Sequence, residues 1–180
     1  MNTPVTLAHH VDYRRLAVAG REVCGEIEIS RLPRVVAETA ASAGHSGVAA
    51  VDLRFNEDRQ RRVYVAGQIE TTLTLVCQRC LTPFDSPMSV QIAGVVVADD
   101  ESAASVPRED EPILADGDML DLHALVADEL LLALPSVARC ERAACVSQFE
   151  HEPSESERQT HKPKSRDNPF AVLSQLKRDE

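Results

Sequence analysis

From Arg62 to Val76 the chain alternates: Val63, Val65, Gly67, Ile69, Thr71, Leu73 and Leu75 share one parity. A period of two sustained this long predicts a strand with one buried face. Val48 to Phe55 alternates too, with Val51, Leu53 and Phe55 opposite Asp52 and Arg54, and the polar turn Asn56–Gln60 joins the two runs as a hairpin. Val23 to Ile29 reads as an earlier strand, with Cys24, Glu26 and Glu28 on its polar face. Met88 to Ala98 reads as a later one. Gly67 and Gly94, inside strands, predict a bulge or bend rather than a site.

The helical period appears twice in the body of the chain. Ser30 offers an N-cap oxygen, Pro33 suits a first helical turn, and Leu32, Val35, Val36 and Ala40 form a stripe, so a helix is expected from Ser30 to Ser42, ended by Gly44. The run Leu120–Leu134 is apolar almost all round, broken only by Asp121, Asp128 and Glu129 with His123 beside them. Such a helix belongs against the sheet, with Asp118 as its expected cap and Pro135 as its stop. The expected fold is α+β, a mostly antiparallel β-meander packed by one or two helices. Asp12–Gly20 fits a helix or an extended segment equally, and Met1–Val11 reads as a loosely held arm.

Residues 1–149 are therefore expected to form one domain, with the acidic stretch 99–118 inserted as a solvated, disordered loop. Residues 150–167 hold almost no apolar side chain and read as a disordered linker. Residues 168–180 read as a short amphipathic helix, with Asn168 as cap, Pro169 in the first turn, and Phe170, Leu173 and Leu176 along one face. So short a helix is marginal alone in water and must dock on something.

Composition narrows the function. The chain has no Trp and only six Tyr and Phe, so its core is aliphatic. The formal net charge of −10 opposes generic binding to nucleic acid or anionic membrane. Eight acidic residues and one Arg fall between Asp99 and Asp118. With no apolar run long enough to span a bilayer and no secretory pattern at the N-terminus, the expected location is the cytoplasm.

The sharpest chemical signal is a pair of cysteine pairs: Cys77-x2-Cys80 and Cys140-x4-Cys145, with Cys24 apart. In a reducing compartment such pairs suggest metal or redox chemistry before structural disulfides. A C-x2-C knuckle presents two sulfurs to one ion, so a four-cysteine zinc site is one reading. A thiol oxidoreductase using Cys77 and Cys80 is another, but Pro83 and the following strand replace the helix N-terminus that would activate the thiol. Thiols without metal are the third. No phosphate-binding glycine loop, G-x-S-x-G or H-E-x-x-H occurs, and nothing else argues for an enzyme.

Three segments occur in a characteristic order: Cys77-Gln78-Arg79-Cys80-Leu81-Thr82-Pro83-Phe84, the helix Asp121–Leu134 ending at Pro135, and Asn168–Lys177. In this the chain resembles the bacterial YceD family, the large ribosomal RNA subunit accumulation proteins. The resemblance implies a non-enzymatic cytoplasmic factor needed for 23S ribosomal RNA accumulation, and no small-molecule substrate. It also implies Cys77, Cys80, Cys140 and Cys145 as zinc candidates. The partner is then ribosomal RNA or a large-subunit assembly protein. Direct RNA contact would use Arg59, Arg61, Arg62 and Arg79. An adaptor would dock through Phe170, Leu173 and Leu176. A zinc-stabilised interaction module unrelated to RNA is the alternative.

Overall fold

The computed structural model describes residues 5–40 and 47–149. The chain divides after Cys140 into two units, Met1–Cys140 and Glu141–Glu180. The first unit holds β1 (His10–Asp12), α1 (Tyr13–Val18), β2 (Glu22–Glu28), α2 (Pro33–Glu38), β3 (Val48–Glu57), β4 (Val63–Val76) and β5 (Pro83–Val97). It continues with α3 (Asp100–Ala104), β6 (Pro112–Leu114), β7 (Met119–Asp121) and α4 (Leu122–Ala133). Its fold is α+β, as the alternating strands predict.

The main sheet has the order β2-β3-β4-β5-β6. The first four strands form an antiparallel meander, and β6 adds in parallel against Val95–Val97 alone. Strand parity sets the register: Leu53 faces Gly67, and Phe55 faces Val65. The shared face carries Val51, Leu53, Phe55, Val65, Ile69 and Leu73, all buried. Each such side chain removed from water contributes about 1.5–3 kcal/mol before ordering costs. Thr71 occupies an inward position, where its hydroxyl donates to the Val48 carbonyl at 3.0 Å. Helix α1 packs on β3 and β4, and α4 packs on β5 and α2.

Gly67 marks neither a bulge nor a bend, since β4 keeps its register through it. A Cβ there would lie 1.9 Å from the Asp52 carbonyl oxygen, so the position requires the close approach that only glycine permits.

Several expectations change. The Ser30–Ser42 helix is a 3-10 turn, Ile29–Arg31, followed by α2 from Pro33 to Glu38. Leu32, at φ −111° and ψ 77°, separates them, and Thr39 turns extended, which lets the Ala40 N–H reach the Thr74 carbonyl. Gly44 lies outside the described residues. The undecided Asp12–Gly20 stretch contains α1, capped by Asp12. The amino-terminal arm is held from Val5 onward: Leu7 is buried and its N–H donates to the Glu26 carbonyl.

The acidic stretch 99–118 is not loop throughout, because α3 and β6 form within it and Ile113 is buried. Asp118 does not cap the long helix. Met119–Asp121 pairs with β1, so the cap moves to Asp121, whose carboxylate accepts from the Ala124 N–H at 2.9 Å.

In the second unit, α5 (Ala143–Phe149) follows Glu141, and the Val146 N–H donates to the Arg142 carbonyl. The expected linker 150–167 and tail helix, with Phe170, Leu173 and Leu176, lie outside the described residues. Among the described residues no helix is long and apolar enough to cross a membrane.

Candidate metal centre

β4 ends at Val76 and β5 begins at Pro83, so the cysteine knuckle is the turn of the longest hairpin in the sheet. The turn closes twice on itself: the Cys77 N–H donates to the Thr82 carbonyl, and the Leu81 N–H to the Cys77 carbonyl at 2.8 Å. Leu81 adopts φ +56°, a left-handed conformation that reverses the chain.

The segment after α4 is then stitched onto this turn. The Gln78 N–H donates to the Ala138 carbonyl at 2.8 Å, and Arg79 Nη2 to the Cys140 carbonyl at 2.7 Å. The Cys140 N–H points at Cys77 Sγ at 3.4 Å. Cys140 thereby sits beside the knuckle although sixty positions separate it from Cys80, and the two sulfurs are 3.7 Å apart.

The sulfurs of Cys77, Cys80 and Cys140 lie within 4.8 Å of one another. Zinc–thiolate bonds of about 2.3 Å at tetrahedral angles place sulfurs roughly 3.8 Å apart, so the spacing suits that ion. Cys77 and Cys140 are buried. The Cys77 thiol is held down to about 5, first by the Cys140 backbone N–H and then by that of Cys80, against the opposing effect of burial. A thiolate with N–H groups aimed at it is the form a metal takes. These three residues can hold a metal ion. Cys145 belongs to the second unit, in α5, where its N–H donates to the Arg142 carbonyl at 2.9 Å. Being five positions beyond Cys140, it is tethered within roughly 17 Å by chain length alone.

Cys24 stands apart on β2, its thiol donating to Asp52 Oδ1 at 3.4 Å. Desolvation and then Asp52 push its pKa up, which makes it a poor nucleophile.

The four arginine candidates do not form one surface. Arg59, Arg61 and Arg62 occupy the β3–β4 turn, where Arg61 pairs with Glu57 and Arg62 with Asp58, while Arg59 is exposed. Arg62 also approaches Asp110 and lies over the Tyr64 ring. Arg79 sits in the cysteine turn at the other end of β4, committed to the Cys140 carbonyl. The sequence offers it as an RNA-contact candidate, and only the fold supplies this acceptor.

A groove between β6 and α4, which no sequence motif marks, has a volume of about 640 Å³. Its apolar lining includes Ile113, Leu125 and the exposed Leu114 and Leu132, and Glu111 and Glu129 line it as well. Burial raises the Glu129 pKa, and the neighbouring Glu111 and Asp128 raise it further.

A family model described as "Large ribosomal RNA subunit accumulation protein YceD" matches residues 65–177. A Haemophilus influenzae protein named "Large ribosomal RNA subunit accumulation protein YceD" is 33% identical over 170 residues, which cover 91% of this chain and 89% of the relative. No solved structure matches.

Proposed function

The chain belongs to the YceD family of large ribosomal RNA subunit accumulation proteins, and on that premise we propose that it promotes 23S ribosomal RNA accumulation as a cytoplasmic, non-enzymatic protein adaptor. The observation that carries the adaptor reading is the state of the arginines. Arg61, Arg62 and Arg79 each already hold a carboxylate or carbonyl inside the protein. Phosphate would meet charges that Glu57 and Asp58 already offset at Arg61 and Arg62, in a chain of net charge −10. A protein that grips ribosomal RNA must instead be cationic, and the acidic groove beside α4 complements such a partner. Leu114 and Leu132 offer its apolar anchors.

Zinc in this reading is structural. Cys77, Cys80 and Cys140 supply three thiolates, one short of the usual tetrahedral set. The full burial of Cys77 supports a clasp over thiol exchange, since an attacking sulfur must reach its substrate. Elemental analysis of protein purified under reducing conditions and dialysed should give about one zinc per chain, and a value near zero would sink the structural-zinc idea.

The adaptor reading is tested in cells that depend on this chain. Glu111→Lys with Glu129→Lys should lower 23S RNA as far as deletion does, while Arg61→Ala with Arg62→Ala should not. Filter binding of a large-subunit RNA fragment across a salt series completes the test. The opposite cellular pattern, or a salt slope that shrinks on losing the two arginines, would replace the adaptor by direct RNA contact.

A further inference from the structure

A second cluster of ligating side chains gathers at the start of α4. In the register of β1 with β7, His10 lies opposite Asp121, and His9 precedes it. His9 Nε2 is 3.4 Å from Asp121 Oδ1, and His10 Nε2 is 3.7 Å from Oδ2. One ligand atom from each of the three residues falls within 4.8 Å of the others. Both imidazole–carboxylate separations exceed the usual N–H···O range of about 2.7–3.2 Å, so the groups converge without satisfying one another.

The backbone on which they converge is fixed. Asp121 caps α4 through the Ala124 N–H, and the Leu122 N–H donates to the His9 carbonyl at 2.8 Å. The His9 ring is flanked by those of His10 and His123, each with centroids 4.3 Å away. His123 Nε2, behind it, is buried and without a hydrogen-bond partner in the structure.

We propose that His9, His10 and Asp121 form a surface site for a borderline divalent cation such as Zn²⁺, distinct from the thiol centre. Two neutral imidazoles and a carboxylate present lone pairs to one point, and a divalent ion accepts all three at once. Nitrogen-rich donor sets favour Zn²⁺, Ni²⁺ or Cu²⁺ over Mg²⁺ or Ca²⁺. Metal bonds of roughly 2.0–2.2 Å at tetrahedral angles place donors roughly 3.3–3.6 Å apart, near the 3.4 and 3.7 Å that separate each imidazole from the carboxylate. Side chains 57%, 50% and 39% exposed have room to make the remaining adjustment. The helix N-terminus opposes a cation with about half a charge, which the full charge of Asp121 outweighs. Three protein ligands leave a coordination position for water or a partner's donor group. The ion would fasten β1 to the start of α4 and exchange readily with solvent.

The test counts zinc by equilibrium dialysis and isothermal titration on the full chain. Wild type should bind one more equivalent than His9→Ala with His10→Ala, a difference that cancels whatever the thiols hold. Asp121→Asn keeps a capping side chain, so it should fold as wild type does and also lose that equivalent. Equal stoichiometry in wild type and both variants would overturn the site. Displacement of the extra zinc by Mg²⁺ at equal concentration would overturn its ion class.

Discussion

The two ends of β4 are both tight turns, and they are built on opposite principles. At the Asp58–Arg62 end the hydrogen bonds that close the turn are local: Asp58 accepts from the Gln60 and Arg62 backbone N–H groups and from Arg62 Nε, all within five positions. At the Cys77–Thr82 end the turn reaches for a segment about sixty positions away, through Ala138 and Cys140. Both even force a non-glycine residue to positive φ, Arg61 at 64° and Leu81 at 56°. A local turn forms as soon as its strands meet. The cysteine turn is finished only when the end of α4 returns, and loop closure over that span is an entropic cost that a metal would offset.

Breaking the long-range end should cost most. Cys140→Ser removes a candidate metal ligand and a buried sulfur together, and is expected to lose about 3 kcal/mol, or roughly 10 °C in Tm. Wild type should fall towards the variant when a chelator is added, while the variant should not respond. A chelator-insensitive wild type would refute the metal clasp.

The two ends should also separate by pH once metal is stripped. Cys77 has its pKa lowered from 9.0 to about 5 in the folded protein, so its contribution is complete above 9 and lost as pH falls towards 5. Asp58 is held below the ordinary carboxylate range: desolvation acts to raise it, but the Arg62 and Gln60 hydrogen bonds outweigh that. Its contribution is therefore complete above about pH 4 and lost below. Thermal melts of stripped wild type and Cys77→Ser should converge between pH 9 and 5. Wild type and Asp58→Ala should instead keep a constant gap until the pH drops below about 4.

Asp58→Ala itself should lower Tm by about 3 °C and leave zinc content unchanged. Loss of zinc in that variant would mean the two ends are coupled through the strand. The smallest effect belongs to the two strained positions. Leu81→Gly and Arg61→Gly each release left-handed strain and should stabilise by about 0.5 kcal/mol, the exposed Glu57 pair adding little to the balance for Arg61. Urea melts resolve a change of that size, and destabilisation by more than about 1 kcal/mol would show that the Leu81 side chain matters more than its backbone.

The same contrast explains what could be read in advance. β3 and β4 were legible because a strict period of two with Val, Leu, Ile and Phe has few other interpretations. The Ser30–Ser42 helix fails because Ser30 lies inside a 3-10 turn, its hydroxyl donating to Glu28 Oε2 rather than capping a helix, so that α2 starts only at Pro33. The Asp118 cap failed because Asp121 offers the same chemistry and β1, about 110 positions earlier, draws Met119–Asp121 into a strand. Local sequence cannot see that pairing. The cysteine pairs announced themselves by spacing, but the carbonyl that Arg79 reaches did not. His9, His10 and Asp121 carry no spacing signal at all.

The parallel strand β6 guards only the end of β5, over Val95–Val97. Among the described residues no strand pairs with the outer edge of β5 from Pro83 to Gly94, which in another sequence would be a template for adding a neighbouring chain. Pro83 and Pro87 offer no N–H there, and Asp85 places a charge between them. At the cysteine-turn end of this strand, Pro83 and Pro87 thus remove donors where backbone hydrogen bonds to a second molecule would form.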